Sequence, residues 1–258
     1  MRQSERTTRR TVKMLLGGKF IRSESGRVVF DGDTWIPNAS RKDARDAVRA
    51  SYDSSESWGQ TRALLRGQIV YRAAETMAQR DDLQGSLEAA QELTYWAGWC
   101  DKITTVAGSV NAVSGMLSMT TVVPVGTVCA FVEGETQEEV LLRSCEIIGA
   151  ALVAGCSLTL LIECRWGQMA QSLGEIMNVS DIPSGVLNIL TTDDPETRRC
   201  LSGAGEMAVC DTRWTKAPFE WYSEGSSHMQ RRVQRGAREL DLILAYSDAK
   251  TVWHASHQ

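Results

Sequence analysis

The chain has 258 residues, 43% of them apolar and 23% charged, with a formal net charge of −4. That is long enough to bury a sizeable core, and the acid excess argues against a dedicated nucleic-acid binder, because neutralising phosphates takes a basic surface. The apolar runs, such as "IIGAALVAG" from Ile147, fall short of the roughly 20 residues that cross a bilayer, so no membrane span is expected.

The chain opens on "MRQSERTTRR", with four arginines and no apolar stretch of the secretory kind behind them. Residues 1–13 are therefore expected to form a flexible basic tail. Residues 14–258 are expected to form one folded unit. Within it, "KMLLGGKFIRSESGRVVFDGD" reads as strand-like pieces punctuated by Gly17-Gly18 and by a Ser/Gly cluster.

A helical part spans 40–103. Ser40 suits the N-cap of "RKDARDAVRASY", where Ala44, Ala47 and Val48 share a face. Leu65, Ile69, Ala73 and Met77 recur every four residues, which predicts a second amphipathic helix. Leu93, Trp96, Ala97 and Cys100 stripe a third, and core packing is the expected use of that stripe. A small extended hairpin follows at about 106–126, with "LSMTTVV" and "PVGTVCAFV" meeting around Pro124.

Over 125–250 short apolar runs alternate with helices. The strands are "VGTVCAFV", "SLTLLI", "GVLNIL", "EMAVCD" and "LDLILAY", and a helical region is expected from about 216 to 234. This alternation predicts an α/β fold, a Rossmann-like parallel sheet with helices on both faces.

Several stretches in this order resemble the aldehyde dehydrogenase superfamily: "GGKFIRSESGR", "LTYWAGWCDK", "PVGTVCAF", "AALVAGCSLTLL" and "IPSGVLNILT". The resemblance covers about residues 14 to 250. It implies a cofactor domain for NAD(P), a catalytic domain with a nucleophilic cysteine, and a small oligomerisation sheet. The sequence ends at Gln258, about where the resemblance places the start of the catalytic domain, so that domain is expected to be absent and no catalytic residue is assigned.

The positions that the resemblance matches to cofactor contacts carry other chemistry. Where the family strand ends Lys-Pro-Ser-Glu, with Lys and Glu on the adenosine ribose, this chain has Leu161, Ile162, Glu163 and Cys164. Where the family runs Phe-Thr-Gly-Ser toward a pyrophosphate-binding helix, this chain has "VCDTRW" with Asp211, Thr212 and Arg213. Asp211 adds negative charge, and Arg213 is expected to be a solvated or paired surface residue rather than a phosphate contact. In place of the amide that steadies an oxyanion stands the acidic "VEGETQEEV". The family's general-base glutamate matches either Glu239 or, with the last strand kept in register, Gly236; the second is preferred. No cofactor is expected, with NAD(P) binding as the alternative.

Other constellations are weaker. Glu133, Glu135 and Glu138 precede a helix, where acids are favoured by its dipole; capping is the expected role and a metal or cationic ligand the alternative, so no metal site is assigned. His254 and His257 are expected in a frayed tail, and His228 stands alone. Seven cysteines at 100, 129, 145, 156, 164, 200 and 210 form no CxxC pair and are expected as reduced core residues in the cytoplasm. The resulting expectation is a catalytically inactive structural or regulatory subunit, with no nucleic-acid or membrane partner. It would associate with a full-length aldehyde dehydrogenase or with itself, through an unpaired hairpin edge. The alternative is a residual NAD(P)- or nucleotide-binding protein supporting aldehyde oxidation.

Overall fold

The N-terminal strands are β1 (Arg10–Thr11), β2 (Met14–Leu16), β3 (Lys19–Ile21), β4 (Val28–Asp31) and β5 (Thr34–Pro37) in a computed structural model that describes residues 10–113, 115–224, 231–233 and 235–255. Helices α1 (Arg41–Gln60), α2 (Ala63–Ala78), α3 (Ser86–Ala97) and α4 (Ile103–Ala107) come next, then the hairpin strands β6 (Ser109–Val113) and β7 (Met116–Pro124). The second half runs β8 (Thr127–Val132), α5 (Gln137–Ala154), β9 (Ser157–Ile162), α6 (Gly167–Val179), β10 (Leu187–Thr191), α7 (Pro195–Ser202) and β11 (Val209–Trp214). It closes with α8 (Phe219–Ser223), β12 (Arg231–Arg232), α9 (Glu239–Ala245) and β13 (Ser247–Ala255).

Strands β8, β9 and β10 are buried at every position, as expected of parallel strands covered on both faces. The central sheet has the order β12-β11-β8-β9-β10-β2-β3. Strands β8 to β12 run parallel, and the β2–β3 hairpin adds two antiparallel strands beyond β10. The chain steps from β8 through α5 to β9 and through α6 to β10, then crosses back to lay β11 on the other side of β8. The order therefore reverses between β8 and β11, the switch point where an open α/β sheet opens a crevice at its carboxyl ends.

Local chemistry explains the helix ends. Ser40 and Asp43 form a reciprocal capping box on α1, and Asp43 also accepts from Ser23 Oγ at 2.7 Å. Thr136 caps α5 by accepting from Glu139 N–H at 3.2 Å, Glu138 and Glu139 lie in its first turn, and Gly155 ends it at φ 90°. Helix α5 is the central packing element of one face, against α2, α3, α6 and α9, while α1 and α7 cover the other. Gly149 lets α5 approach Trp96 of α3: a Cβ there would lie 2.5 Å from the indole.

Five expectations need correction. The tail is shorter than 1–13, because Arg10–Thr11 pair with Thr34–Trp35 and Val12 is buried against Ile36 and Cys164. Leu65 is 47% exposed, the buried face of α2 being carried by Ile69, Val70, Ala73, Ala74 and Met77. "LDLILAY" is mostly helix, not strand; the alternation of Leu240, Leu242 and Leu244 misleads, since burial falls on Leu242, Ile243 and Tyr246, one helical face. In the region 216–234 the described residues hold only the five-residue α8 and the two-residue β12. Finally, β7 is not left open: β13 pairs with it antiparallel from Ser247↔Pro124 to Ala255↔Met116, so β6 and β13 are the outer strands of that three-stranded sheet.

Candidate functional site at the carboxyl ends of the parallel strands

At the switch point the chain leaves β8 through Glu133, whose backbone N–H donates to Trp214 O at 2.9 Å and so ties the ends of β8 and β11 together. The Glu133 side chain turns into the crevice. One carboxylate oxygen is paired with Arg198 of α7, and the other accepts from the backbone N–H of Lys216, just past β11, at 2.8 Å. Arg143 of α5 donates to the Glu133 carbonyl at 2.6 Å. Glu133 and Arg198 are 11% and 14% exposed at their side chains. Burial, the largest single influence, lowers the Arg198 guanidinium, but the hydrogen bond it donates to Glu133, its interactions with Tyr222 and the Glu133 charge together outweigh burial and hold the group above its ordinary value.

A second, more exposed set lies alongside. Arg165, in the single 3-10 turn after β9, donates to Glu163 at 3.0 Å and to Gly134 O at 2.6 Å, and stands 3.7 Å from Glu135. Lys216 Nζ donates to Glu135 at 2.9 Å. Glu133, Glu135 and Glu163 are thus each matched to a cation of the chain itself. Glu138 remains in the first turn of α5. Among the described residues no group of three or more His, Cys, Asp or Glu is arranged to hold a metal ion.

The six positions singled out from the sequence do not form one site. Leu161 is buried in the core facing α1. Cys164 is buried beside Val12 and Ile36, its N–H bonded to Asp193 at 2.9 Å. Only Glu163 lies at the strand end. Asp211 and Arg213, two apart on β11, point together toward α5 and α9: Arg213 pairs with Asp211 at 2.9 Å and with Glu146 at 3.4 Å, and donates to Ala237 O at 2.8 Å. Tyr246 O–H donates to Asp211 at 2.6 Å. Arg213 is therefore not a surface residue; it is 7% exposed and enclosed by acids. Thr212 contributes its carbonyl, which accepts from Thr215 Oγ1 at 2.9 Å. The Tyr246 hydroxyl is pushed well up, by burial first and then by the Asp211 charge.

The remaining candidates disperse. All seven cysteines are free, and six are buried. Burial pushes Cys100 up to about 12 and Cys156 up to about 11, and raises Cys145, Cys164 and Cys200 too, the reverse of the depressed value of a nucleophilic thiol. Glu239 is exposed and opens α9 at φ 51°, and Gly236 is exposed at φ 90°. His254 lies in β13 opposite Leu117 rather than in a frayed end; His228 and His257 fall outside the described residues. Residues that sequence reasoning missed are Arg198, Lys216, Glu146 and Tyr246. Of these Glu146 carried a signal, being a lone acid within the otherwise apolar second half of α5.

Comparison with known proteins places this geometry. The Aldehyde dehydrogenase family matches residues 33–210. The (Z)-2-((N-methylformamido)methylene)-5-hydroxybutyrolactone dehydrogenase of Acinetobacter baylyi (strain ATCC 33305 / BD413 / ADP1) is 28% identical over 227 residues, covering 76% of this chain and 44% of that protein. The cytosolic 10-formyltetrahydrofolate dehydrogenase of Homo sapiens is 27% identical over 247 residues, covering 80% of this chain and 27% of that protein. The chain thus spans less than half the length of these relatives. Among solved structures, an apo indole-3-acetaldehyde dehydrogenase superposes with a TM-score of 0.76 at 21% identity over 86% of this chain and 58% of that one, which shows a shared fold. No helix among the described residues is long and apolar enough to cross a membrane.

Proposed function

The chain belongs to the aldehyde dehydrogenase family, and from that premise we propose that it is a member whose nucleotide crevice has been given over to internal ion pairs, working as a structural or regulatory subunit beside a complete aldehyde dehydrogenase rather than as an oxidoreductase on its own. One observation carries the reading. At the switch point, where the fold offers a ligand its backbone N–H groups, the Lys216 N–H and the Arg198 guanidinium are both taken by the chain's own Glu133 carboxylate.

The residues present do not suit a dinucleotide. A pyrophosphate would meet the carboxylates of Glu133, Glu135 and Glu163, and like charges so close repel. Beyond β11 the chain enters a loop and a five-residue α8, a poor counterpart to the glycine-started helix that carries a pyrophosphate. Leu161 gives a ribose no hydrogen bond. The alternative of residual NAD(P) binding draws on Arg165, Arg198 and Lys216 at the strand ends, and requires their present partners to be displaced.

Support for a subunit role comes from the three-stranded sheet, where Val110, Met119, Val252 and Trp253 are 45–66% exposed and the outer strands β6 and β13 each offer an edge for pairing. Seven free thiols suit a reducing compartment such as the cytoplasm. Two measurements test the proposal. Calorimetric titration with NAD and NADP is expected to give no saturable heat, and light scattering after co-expression with a complete aldehyde dehydrogenase is expected to show a mixed assembly. Tight dinucleotide binding, or a monomer that ignores both itself and the co-expressed enzyme, overturns it.

A further inference from the structure

Helix α1 presents a stripe to the outside. Arg45, Arg49, Tyr52 and Glu56 recur at steps of four, three and four residues, the spacing that keeps side chains on the side of a helix facing an aligned neighbouring helix. All four are exposed, Tyr52 by 58%. The opposite side of α1, with Ala44, Ala47 and Val48, is buried on the central sheet and α7, so the stripe faces away from the molecule.

Charge is divided along this helix. Among its exposed residues, the first half carries Arg41, Lys42, Arg45 and Arg49 against Asp46 alone, and the second half carries Asp53 and Glu56 with no base. Local helix energetics disfavour that order. The dipole favours acids in the first turn and bases in the last, whereas Arg41 and Lys42 open α1 and no base lies in its last turn. Arg41, Arg45 and Arg49 also stand four apart, where like charges repel. Neighbouring elements answer only part of this charge. Arg41 pairs with Glu196 of α7, and Lys42 with Glu24 and Asp46, but among the described residues Arg45, Arg49 and Asp53 form no ion pair.

We infer that α1 docks on α1 of a second copy of this chain, antiparallel, about a two-fold axis between Ala50 and Ser51. In that register Arg45 meets Glu56 of the partner subunit, and Arg49 meets Tyr52 of the partner subunit, a guanidinium over a phenol ring, beside Asp53 of the partner subunit. The symmetry makes each contact twice. A partner offering only acids would leave Asp53 and Glu56 facing like charge; a copy of α1 answers both halves at once. One helix pair is smaller than the interface of a permanent dimer and its contacts are charged, so the dimer is weak and salt-sensitive. No residue of the three-stranded sheet or of the strand-end crevice takes part, so failure here and failure of the subunit reading are separate results.

Sedimentation equilibrium of the full chain, loaded from about ten micromolar to about one millimolar, measures the dimer at low and at high salt. Raising sodium chloride from about 0.02 M to about 0.5 M is expected to weaken it by about tenfold or more. Arg45→Glu and Glu56→Arg are each expected to weaken it by about tenfold or more, and the double exchange to restore it, because the pair is then reversed rather than lost. Lys250→Glu, an exposed change on β13, is expected to leave it unchanged. A monomer throughout, or a dimer indifferent to salt, overturns the inference on the parent protein alone, so it stays decidable even where a variant fails to fold. A double exchange that associates no better than either single reversal overturns it as well.

Discussion

Replacing Glu133 by alanine removes the anion at the switch point and leaves two donors facing one another's vacated acceptor. Arg198, 14% exposed at its side chain, loses its partner, and the Lys216 N–H loses a 2.8 Å hydrogen bond. Breaking a fully buried ion pair from one side costs about 3–5 kcal/mol. Some solvent reaches this pair, so a smaller loss of roughly 2–3 kcal/mol is expected, just below that range. For a chain of this size about 2–4 °C of melting temperature accompanies each kcal/mol, giving a drop of roughly 5–10 °C. Phosphate should then recover part of it, because Arg198 and the Lys216 N–H form an anion site once Glu133 is gone. At ten times its dissociation constant a ligand stabilises by about 1.4 kcal/mol, from RT ln 11.

The assay is scanning calorimetry of the parent, Glu133→Ala and Glu133→Gln in phosphate and in chloride at matched ionic strength. Glutamine keeps an oxygen for the Lys216 N–H, so it should lose less stability and gain no phosphate response. The reasoning is refuted if Glu133→Ala melts within about a degree of the parent, which is far below the cost of a broken buried pair, or if phosphate lifts all three proteins equally.

Other consequences follow from the buried interior. Arg213→Met strands Asp211 and Glu146 without their cation and should cost about 3–5 kcal/mol in urea titration, whereas Tyr246→Phe, which removes one hydrogen bond to Asp211, should cost about 1–3 kcal/mol. Gly149→Ala should destabilise although alanine favours a helix by about 1 kcal/mol, because its Cβ would meet the buried Trp96 at 2.5 Å and overpacking costs about 1–3 kcal/mol; a stabilised variant would contradict that packing. Cys100 and Cys156 are raised from 9.0 to about 12 and about 11. Their contribution is complete below pH 9 and is lost as pH rises through 11 to 12. Urea titrations from pH 8 upward should show that decline, and Cys156→Ala should flatten it. At pH 8 iodoacetamide should modify Cys200, the half-buried thiol, ahead of the six buried ones.

Much of the framework was legible because it rests on local rules. The Ser40 cap, the α3 stripe and the continuous apolar runs of β8, β9 and β10 each depend on residues a few positions apart, and periodicity reads such spacing directly. The last quarter was harder. "LDLILAY" fits a two-residue and a 3.6-residue period almost equally, and what decides for the helix is that Leu242, Ile243 and Tyr246 must all reach the core beside α5. The pairing of β13 with β7 joins residues more than a hundred positions apart, which no local window contains.

The ion pairs at the strand ends show the same limit in chemical form. Glu133 reads in the sequence as part of an acidic helix start, and nothing nearby singles out Arg198; they are 65 residues apart. Only the return of the chain from β10 across to β11 sets α7 over the end of β8 and turns two unremarkable charges into a closed site. Sequence matching could say that family-type contacts were replaced, since Leu161, Glu163 and Asp211 can be read one at a time. It could not say that Asp211 and Glu163 answer to different cations on different sides of the sheet, Arg213 beside α5 and Arg165 at the crevice mouth. A substituted binding position therefore indicates that an old contact is gone, while the identity of what replaced it is a property of topology, and the Glu133 variants probe that replacement directly.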